Sequence, residues 1–277
     1  MTAAEAMLAA MARLRAAGVP DPARDARILL AHAAKVDAAR VTLIAPEDIA
    51  PEIAERYDQL VALRAVRVPV SQLIGAREFY GRRFEISRDV LDPRPETETL
   101  IEAALAEPFS RVLDLGTGSG CILVSLLAER EAATGTGVDL SEAACLQASQ
   151  NAVQHGVADR ADIFRSDWFE NVEGRFDLIV SNPPYLAASE MAGVQPELRE
   201  HEPRMALTDE HDGLSVYRII AAQAQQYLSA QGRVLVETGW TQGAAVAGFF
   251  REEGWAEVAI LPDLNGRDRV VRASKPG

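Results

Sequence analysis

From residue 111 onward the chain alternates short apolar runs with helical stretches, and this alternation constrains the fold more than any other feature. Strands are expected at 111–115, 135–140, 161–165, 176–181 and 233–237, with helices at 120–130, 142–154 and 215–230 between them. Strand–helix–strand units at this spacing require a parallel sheet covered by helices on both faces, a doubly wound α/β arrangement. Two further strand-like runs, 256–261 and 269–273, read as a closing antiparallel pair. Ligands of such sheets bind beyond the carboxyl ends of the strands. The segment that follows each strand is therefore where chemistry is sought.

The first quarter of the chain reads differently. Helical spacing runs through 3–17 and stops at Gly18, then Asp21-Pro22 caps a second helix over 23–36, and a third spans 51–68. His32 reads as a packing residue. Residues 77–87 read as two short strands turning at Gly81-Arg82. This divides the chain into a helical domain, 1–75, a hairpin linker, 76–92, and an α/β domain, 93–277.

Charge follows the same division. Residues 1–90 hold 13 basic and 12 acidic residues, net +1, while the remainder holds 15 and 29, net −14. An acidic α/β half argues against duplex nucleic acid as the main substrate, because phosphate neutralisation supplies most of that affinity. Arg77, Arg82, Arg83 and Arg88 are the best basic cluster and read as a solvated face. No apolar run approaches the roughly 18 residues of a membrane span. With two cysteines, Cys121 and Cys145, and no basic leader, a cytoplasmic location is expected. A monomer is a separate expectation that these features do not fix.

Three strand ends carry candidate site residues. After 176–181 comes Asn182-Pro183-Pro184-Tyr185. Two consecutive prolines have no N–H to give a sheet and stiffen the exit, so the Asn amide and the Asn and Pro carbonyls face whatever lies beyond the strand. Such a loop can grip an amide or amino group by its N–H bonds. After 111–115 comes Gly116-Thr117-Gly118-Ser119-Gly120, whose G-x-G-x-G spacing departs from the dinucleotide fingerprint G-x-G-x-x-G. Asp114, two residues before it, suits a ligand with a cationic end, such as the amino group of S-adenosylmethionine. Asp139, 23 residues after Gly116, is placed to accept both ribose hydroxyls. In Ser166-Asp167-Trp168-Phe169, Asp167 can bind an exocyclic amine and Trp168 can cover an adenine. Cys121 reads as a packing residue, and no metal-ligand pattern is present. In order, at successive strand ends, these elements describe a Rossmann-like class I methyltransferase.

Phe79-Tyr80-Gly81, Pro93-Arg94-Pro95-Glu96-Thr97-Glu98, Asp114 to Gly120 and Asn182 to Tyr185 together resemble the protein N5-glutamine methyltransferases that modify peptide chain release factors. The resemblance covers nearly the whole chain, with Glu202-Pro203, Asp212-Gly213-Leu214, Glu237-Thr238-Gly239 and Gly266-Arg267-Asp268-Arg269 agreeing. It implies S-adenosylmethionine as methyl donor, S-adenosylhomocysteine as product, and the glutamine of the Gly-Gly-Gln loop of class 1 release factors as acceptor. It also implies that Gly116, Thr117, Gly118, Ser119, Gly120, Asp139, Trp168 and Asn182 contact or flank the donor, while Asn182, Pro183, Pro184 and Tyr185 hold the glutamine. Asp92 and Asp209-Glu210-His211 depart from the family pattern.

An amide nitrogen is a weak nucleophile. Asn182 and the Pro183 carbonyl accepting its two N–H bonds would fix it and favour positive charge building on it, with Tyr185 packing on the glutamine stem. The same loop would serve the N6 amine of adenine in nucleic acid, which needs a flipped base and a basic channel. A ribosomal-protein glutamine is a second alternative, and a non-catalytic binder of S-adenosylmethionine a third.

Overall fold

The computed structural model describes all 277 residues. They form two compact units: Met1–Ala76 with Gln195–His201, and Arg77–Val194 with Glu202–Gly277. A seven-residue piece from the middle of the second unit's sequence is thus part of the first.

The helical unit is built on Ala3–Ala16, Pro22–Ala34 and Pro51–Ala65, with short helices Val41–Ile44 and Val70–Ile74. Thr2 and Glu5 make a reciprocal capping box, and Asp21 accepts from the Arg24 amide at 3.2 Å with Pro22 behind it. Ala26, Leu29, Leu30 and Ala33 fall on one helical stripe and are buried against Leu14, Tyr57 and Val61. Arg64 is buried here because it has carboxylates to meet: Nε lies 2.7 Å from Asp25 and Nη2 2.9 Å from Glu197. Arg67 reaches the same Glu197 through Nε at 2.7 Å and Nη2 at 2.5 Å. Nothing in the sequence around 25, 64 or 197 announces this network.

In the second unit, β1 (Ala76–Phe79) and β2 (Arg82–Glu85) form the hairpin, with β1 beginning on the last residue of the helical unit. Its turn is Tyr80-Gly81, both at positive φ, so the hairpin turns one residue earlier than Gly81-Arg82. The main sheet contains β3 (Arg111–Leu115), β4 (Thr134–Asp139), β5 (Ala161–Arg165), β6 (Phe176–Ser181), β7 (Leu228–Glu237), β8 (Ala256–Pro262) and β9 (Asp268–Ser274). Their order is β5-β4-β3-β6-β7-β9-β8, parallel from β5 to β7, with β9 antiparallel to both its neighbours. The closing antiparallel pair and the doubly wound class are as expected.

Period-2 alternation sorts the core. Val112, Leu178, Val180, Leu235 and Val270 face helices Glu98–Leu105 and Cys121–Glu129, while Leu113, Ile179, Val234, Val236 and Val271 face helices Ser215–Gln223 and Gly243–Glu252. The chain winds one way from β3 to β5 and the other way from β6, so the switch point lies between β3 and β6. Leu115 pairs with Ser181 and with Val138, so the three loops after β3, β4 and β6 leave the sheet at one level. No helix is long and apolar enough to cross a membrane.

Candidate active site

The strand ends are tied together before any ligand is considered. The Ser181 hydroxyl donates to the Leu115 carbonyl at 2.7 Å, and the Gly116 and Thr117 amides donate to the Val138 carbonyl at 2.8 and 2.9 Å. Beyond them opens a cavity of about 410 Å³, lined among others by Gly116, Thr117, Gly118, Ser119, Asp139, Asp167, Trp168, Asn182 and Pro184. That volume lies in the usual range of small-molecule pockets, about 300–1,000 Å³.

Asp139 accepts from the Gly118 amide and the Ser141 amide, both at 2.9 Å. Burial pushes its carboxyl above the usual range, against those backbone bonds. These amides do not fill the roughly four acceptor sites of a carboxylate, which leaves capacity for a ligand hydroxyl. Trp168 sits at φ 47°, a strained conformation for a large residue. The Ser166 hydroxyl holds it by donating to its carbonyl at 3.0 Å. Its ring lies beside Gly116, where an added Cβ would meet it at 3.7 Å. Asp167 is exposed on the cavity rim.

Two residues of the glycine motif stand off the wall. Asp114 is fully buried, takes the Thr117 hydroxyl at 2.8 Å on one oxygen and leaves the other without a partner. Burial pushes it up to about 7. It braces the loop from beneath through Thr117. Gly120 also lies off the cavity: a Cβ there would come within 3.0 Å of the Ala148 Cβ and 3.1 Å of its Cα. The third glycine serves the approach of helix Glu142–Gln154. Cys121 is on the wall, and burial pushes its thiol up to about 12, so it is neutral packing.

In the Asn-Pro-Pro-Tyr loop, Asn182 and Pro184 line the cavity, Pro183 is buried and Tyr185 is set back from the wall. The Asn182 Nδ2 donates to the Thr97 hydroxyl oxygen at 3.2 Å. Burial pushes the Tyr185 phenol up to about 12, so it stays neutral. The loop is locked from behind by Gln242, whose Nε2 donates to the Tyr185 carbonyl at 2.8 Å. Gly213 passes so close that a Cβ would fall 2.3 Å from that carbonyl oxygen, which only glycine allows.

Thr97, Gln242 and Glu202 are site residues that the sequence reading passed over. The first and third stood inside quoted motifs, and Gln242 follows a strand end, which was the available signal. Glu202 is buried and accepts from Arg94 Nη2 at 2.6 Å on both oxygens, and Arg94 lines the cavity. The departures also find partners. Asp92 lies 3.9 Å from both Arg77 and Arg94. Asp209 accepts from the amides of His211, Gly213 and Ser215. Partial burial alone would raise its pKa, but the Ser215 hydroxyl and these amides hold it at about 2.

Residues 86–200 match the methyltransferase small domain and residues 5–75 the PrmC N-terminal domain. The chain is 56% identical over 276 residues, covering 100% of it and 99% of its relative, to the release factor glutamine methyltransferase of Cereibacter sphaeroides. It is 39% identical to that of Agrobacterium fabrum, covering 98% and 96%. Among solved structures, a methyltransferase from Pyrococcus furiosus superposes with TM-score 0.55 at 16% identity, covering 72% of this chain and 91% of its own. The hMettl16 catalytic domain superposes with TM-score 0.58 at 18% identity, covering 79% and 82%. These two establish the class I methyltransferase fold, and the full-length relatives establish the rest: the chain belongs to the release factor glutamine methyltransferase family.

Proposed function

We propose that this protein transfers a methyl group from S-adenosylmethionine to the side-chain nitrogen of the glutamine in the Gly-Gly-Gln loop of class 1 release factors. The observation that carries the reading is one cavity at the β3/β6 switch point, walled on one side by the glycine loop and Asp139 and on another by Asn182 and Pro184. The donor set fits the methyl donor. Asp139 has acceptor capacity for ribose hydroxyls, and Trp168 and Ile122 give apolar walls. S-adenosylmethionine supplies the electrophilic methyl on its sulfonium.

The chain's own residues handle the acceptor. Asn182 Oδ1 and the Pro183 carbonyl take the two amide hydrogens, holding the nitrogen still and stabilising charge that builds on it. Tyr185, set back from the wall, supports from behind the loop that holds the glutamine stem. The proton is lost to solvent after transfer, so no strong base is needed. The helical unit, near neutral in charge, contacts the body of the release factor, and the enzyme acts as a cytoplasmic monomer without a nucleic-acid substrate.

The test is a labelled methyl donor offered with release factor, its loop Gln→Ala variant, ribosomal protein and DNA in parallel. Label is expected on intact release factor alone. Label on ribosomal protein or DNA with none on release factor would overturn the reading. A companion prediction concerns the donor: Asp139→Ala should weaken its binding about 10- to 100-fold by calorimetry, the worth of charge-assisted hydrogen bonds. Unchanged affinity would remove Asp139 from the donor site.

A further inference from the structure

Asparagine's amide is nearly symmetric in shape, yet a residue that must accept the substrate's N–H bond has to present oxygen and never nitrogen. Something beside Asn182 must distinguish its two ends. Its Nδ2 lies 3.2 Å from the Thr97 hydroxyl oxygen. A hydroxyl alone does not decide the matter, because it can accept or donate. Thr97 is 2% exposed, and its hydroxyl is also hydrogen-bonded to the carboxylate of Glu237, itself 1% exposed.

These three residues come from three places. Asn182 follows β6, Glu237 ends β7, and Thr97 closes the turn Pro95–Thr97. Pairing of Ser181 with Val236 brings the first two to the same level of the sheet. When Glu237 is ionised its carboxylate can only accept, and it then takes the Thr97 hydrogen. The Thr97 oxygen is then left as an acceptor, and Asn182 must turn its NH₂ toward it. The planar amide places Oδ1 on the other branch. The remaining Glu237 oxygen has no partner, so a buried carboxylate is kept here with one hydrogen bond from Thr97 in exchange for its hydration. Burial pushes this carboxyl up to about 7, opposed by Thr97 and by Arg269. Packing does not need such a group at the end of a central strand.

We propose that Thr97 and Glu237 are positioning residues for methyl transfer, forming a one-way relay that turns the Asn182 side-chain oxygen toward the substrate amide. The inference rests on the function proposed above. Neither residue touches a reacting atom, and both act through Asn182.

Thr97→Val removes the hydroxyl at nearly constant shape. It should lower kcat about 10- to 100-fold, as loss of orientation does, with donor affinity within about two-fold of wild type by the same principle of local action. Thr97→Ser should recover most of that loss, and Glu237→Gln, whose amide can offer Thr97 either end, should fall between. In an Asn182→Ala background Thr97→Val should have no further effect, since residues acting as one unit are not additive. The Asn182 side-chain NH₂ resonances should move in free Thr97→Val enzyme, a readout that needs no turnover and decides the matter if the double variant is below detection. A normal kcat for Thr97→Val, an equal loss in the Asn182→Ala background, or unmoved Asn182 resonances would each overturn the relay. If the wild type fails to methylate release factor while those resonances still move, the functional reading fails and the relay stands.

Discussion

Asn182→Ala is expected to lower turnover on release factor about 10²- to 10³-fold, the cost of removing one preorganised group aimed at developing charge. Asn182 is one contributor among many to the cavity wall, and Asp139, Gly118 and Trp168, the groups proposed to face the donor, belong to other loops. Donor affinity should therefore fall only a few-fold, and the damage should appear in kcat. The fold around the site should hold, because Ser181 to Leu115, Gln242 to Tyr185 and the Gly213 approach fix the loop through groups other than the Asn182 side chain. Asn182→Asp is the sharper companion. It keeps an acceptor and the shape but replaces the NH₂ facing Thr97 by an oxygen, so it should also lose turnover. The check is single-turnover methylation with donor binding measured separately. Near-normal turnover by Asn182→Ala would remove the amide-holding role.

The parallel sheet was legible because buried strands carry two apolar faces in alternation, and the strand-end rule then selected Gly116, Asp139, Trp168 and Asn182, all of which reach one cavity. Order along a motif does not tell which residues point inward. Asp114 and Gly120 sit in the glycine motif, yet one lies beneath the loop and the other meets Ala148. The last parallel strand begins at Leu228, five residues before the expected start, and runs on through Gly232. That glycine packs on Leu228 and the Phe176 carbonyl. Tertiary contact outweighs local propensity there. Likewise the helix expected over 215–230 ends at Gln223 and tightens into a 3₁₀ turn at Ala224–Tyr227. Partners distant in sequence were out of reach: Thr97 and Asn182 are 85 positions apart, and Arg64 and Glu197 are 133.

That last pair carries the second large effect. Glu197→Ala should destabilise the helical unit by about 3 kcal/mol, since removing one partner of a buried ion network leaves charge uncompensated. Arg64 would keep Asp25, but Arg67 would lose both of its bonds to a carboxylate. For a unit of this size that corresponds to a fall in Tm of more than about 10 °C. The control is Glu200→Ala in the same segment, whose exposed pair with Arg199 should be worth less than about 1 kcal/mol. The pH dependence has a definite sign. Burial would raise the Glu197 carboxyl, but Arg67 and Arg64 hold it below its ordinary value. A depressed carboxyl stabilises the fold above the unfolded pKa, and that contribution disappears as pH falls through the folded value. The gap between wild type and Glu197→Ala should therefore be full at neutral pH and close below about pH 4. His201 ends this segment and Glu202 follows it directly, with both oxygens on Arg94 at the cavity wall. A segment released from Arg64 and Arg67 loosens the chain that leads into 203–210, so the variant should also raise KM for release factor. A Glu197→Ala protein melting within about 2 °C of wild type, where about 0.5 kcal/mol is the expected scale of a neutral surface change, would show that the network adds nothing to stability.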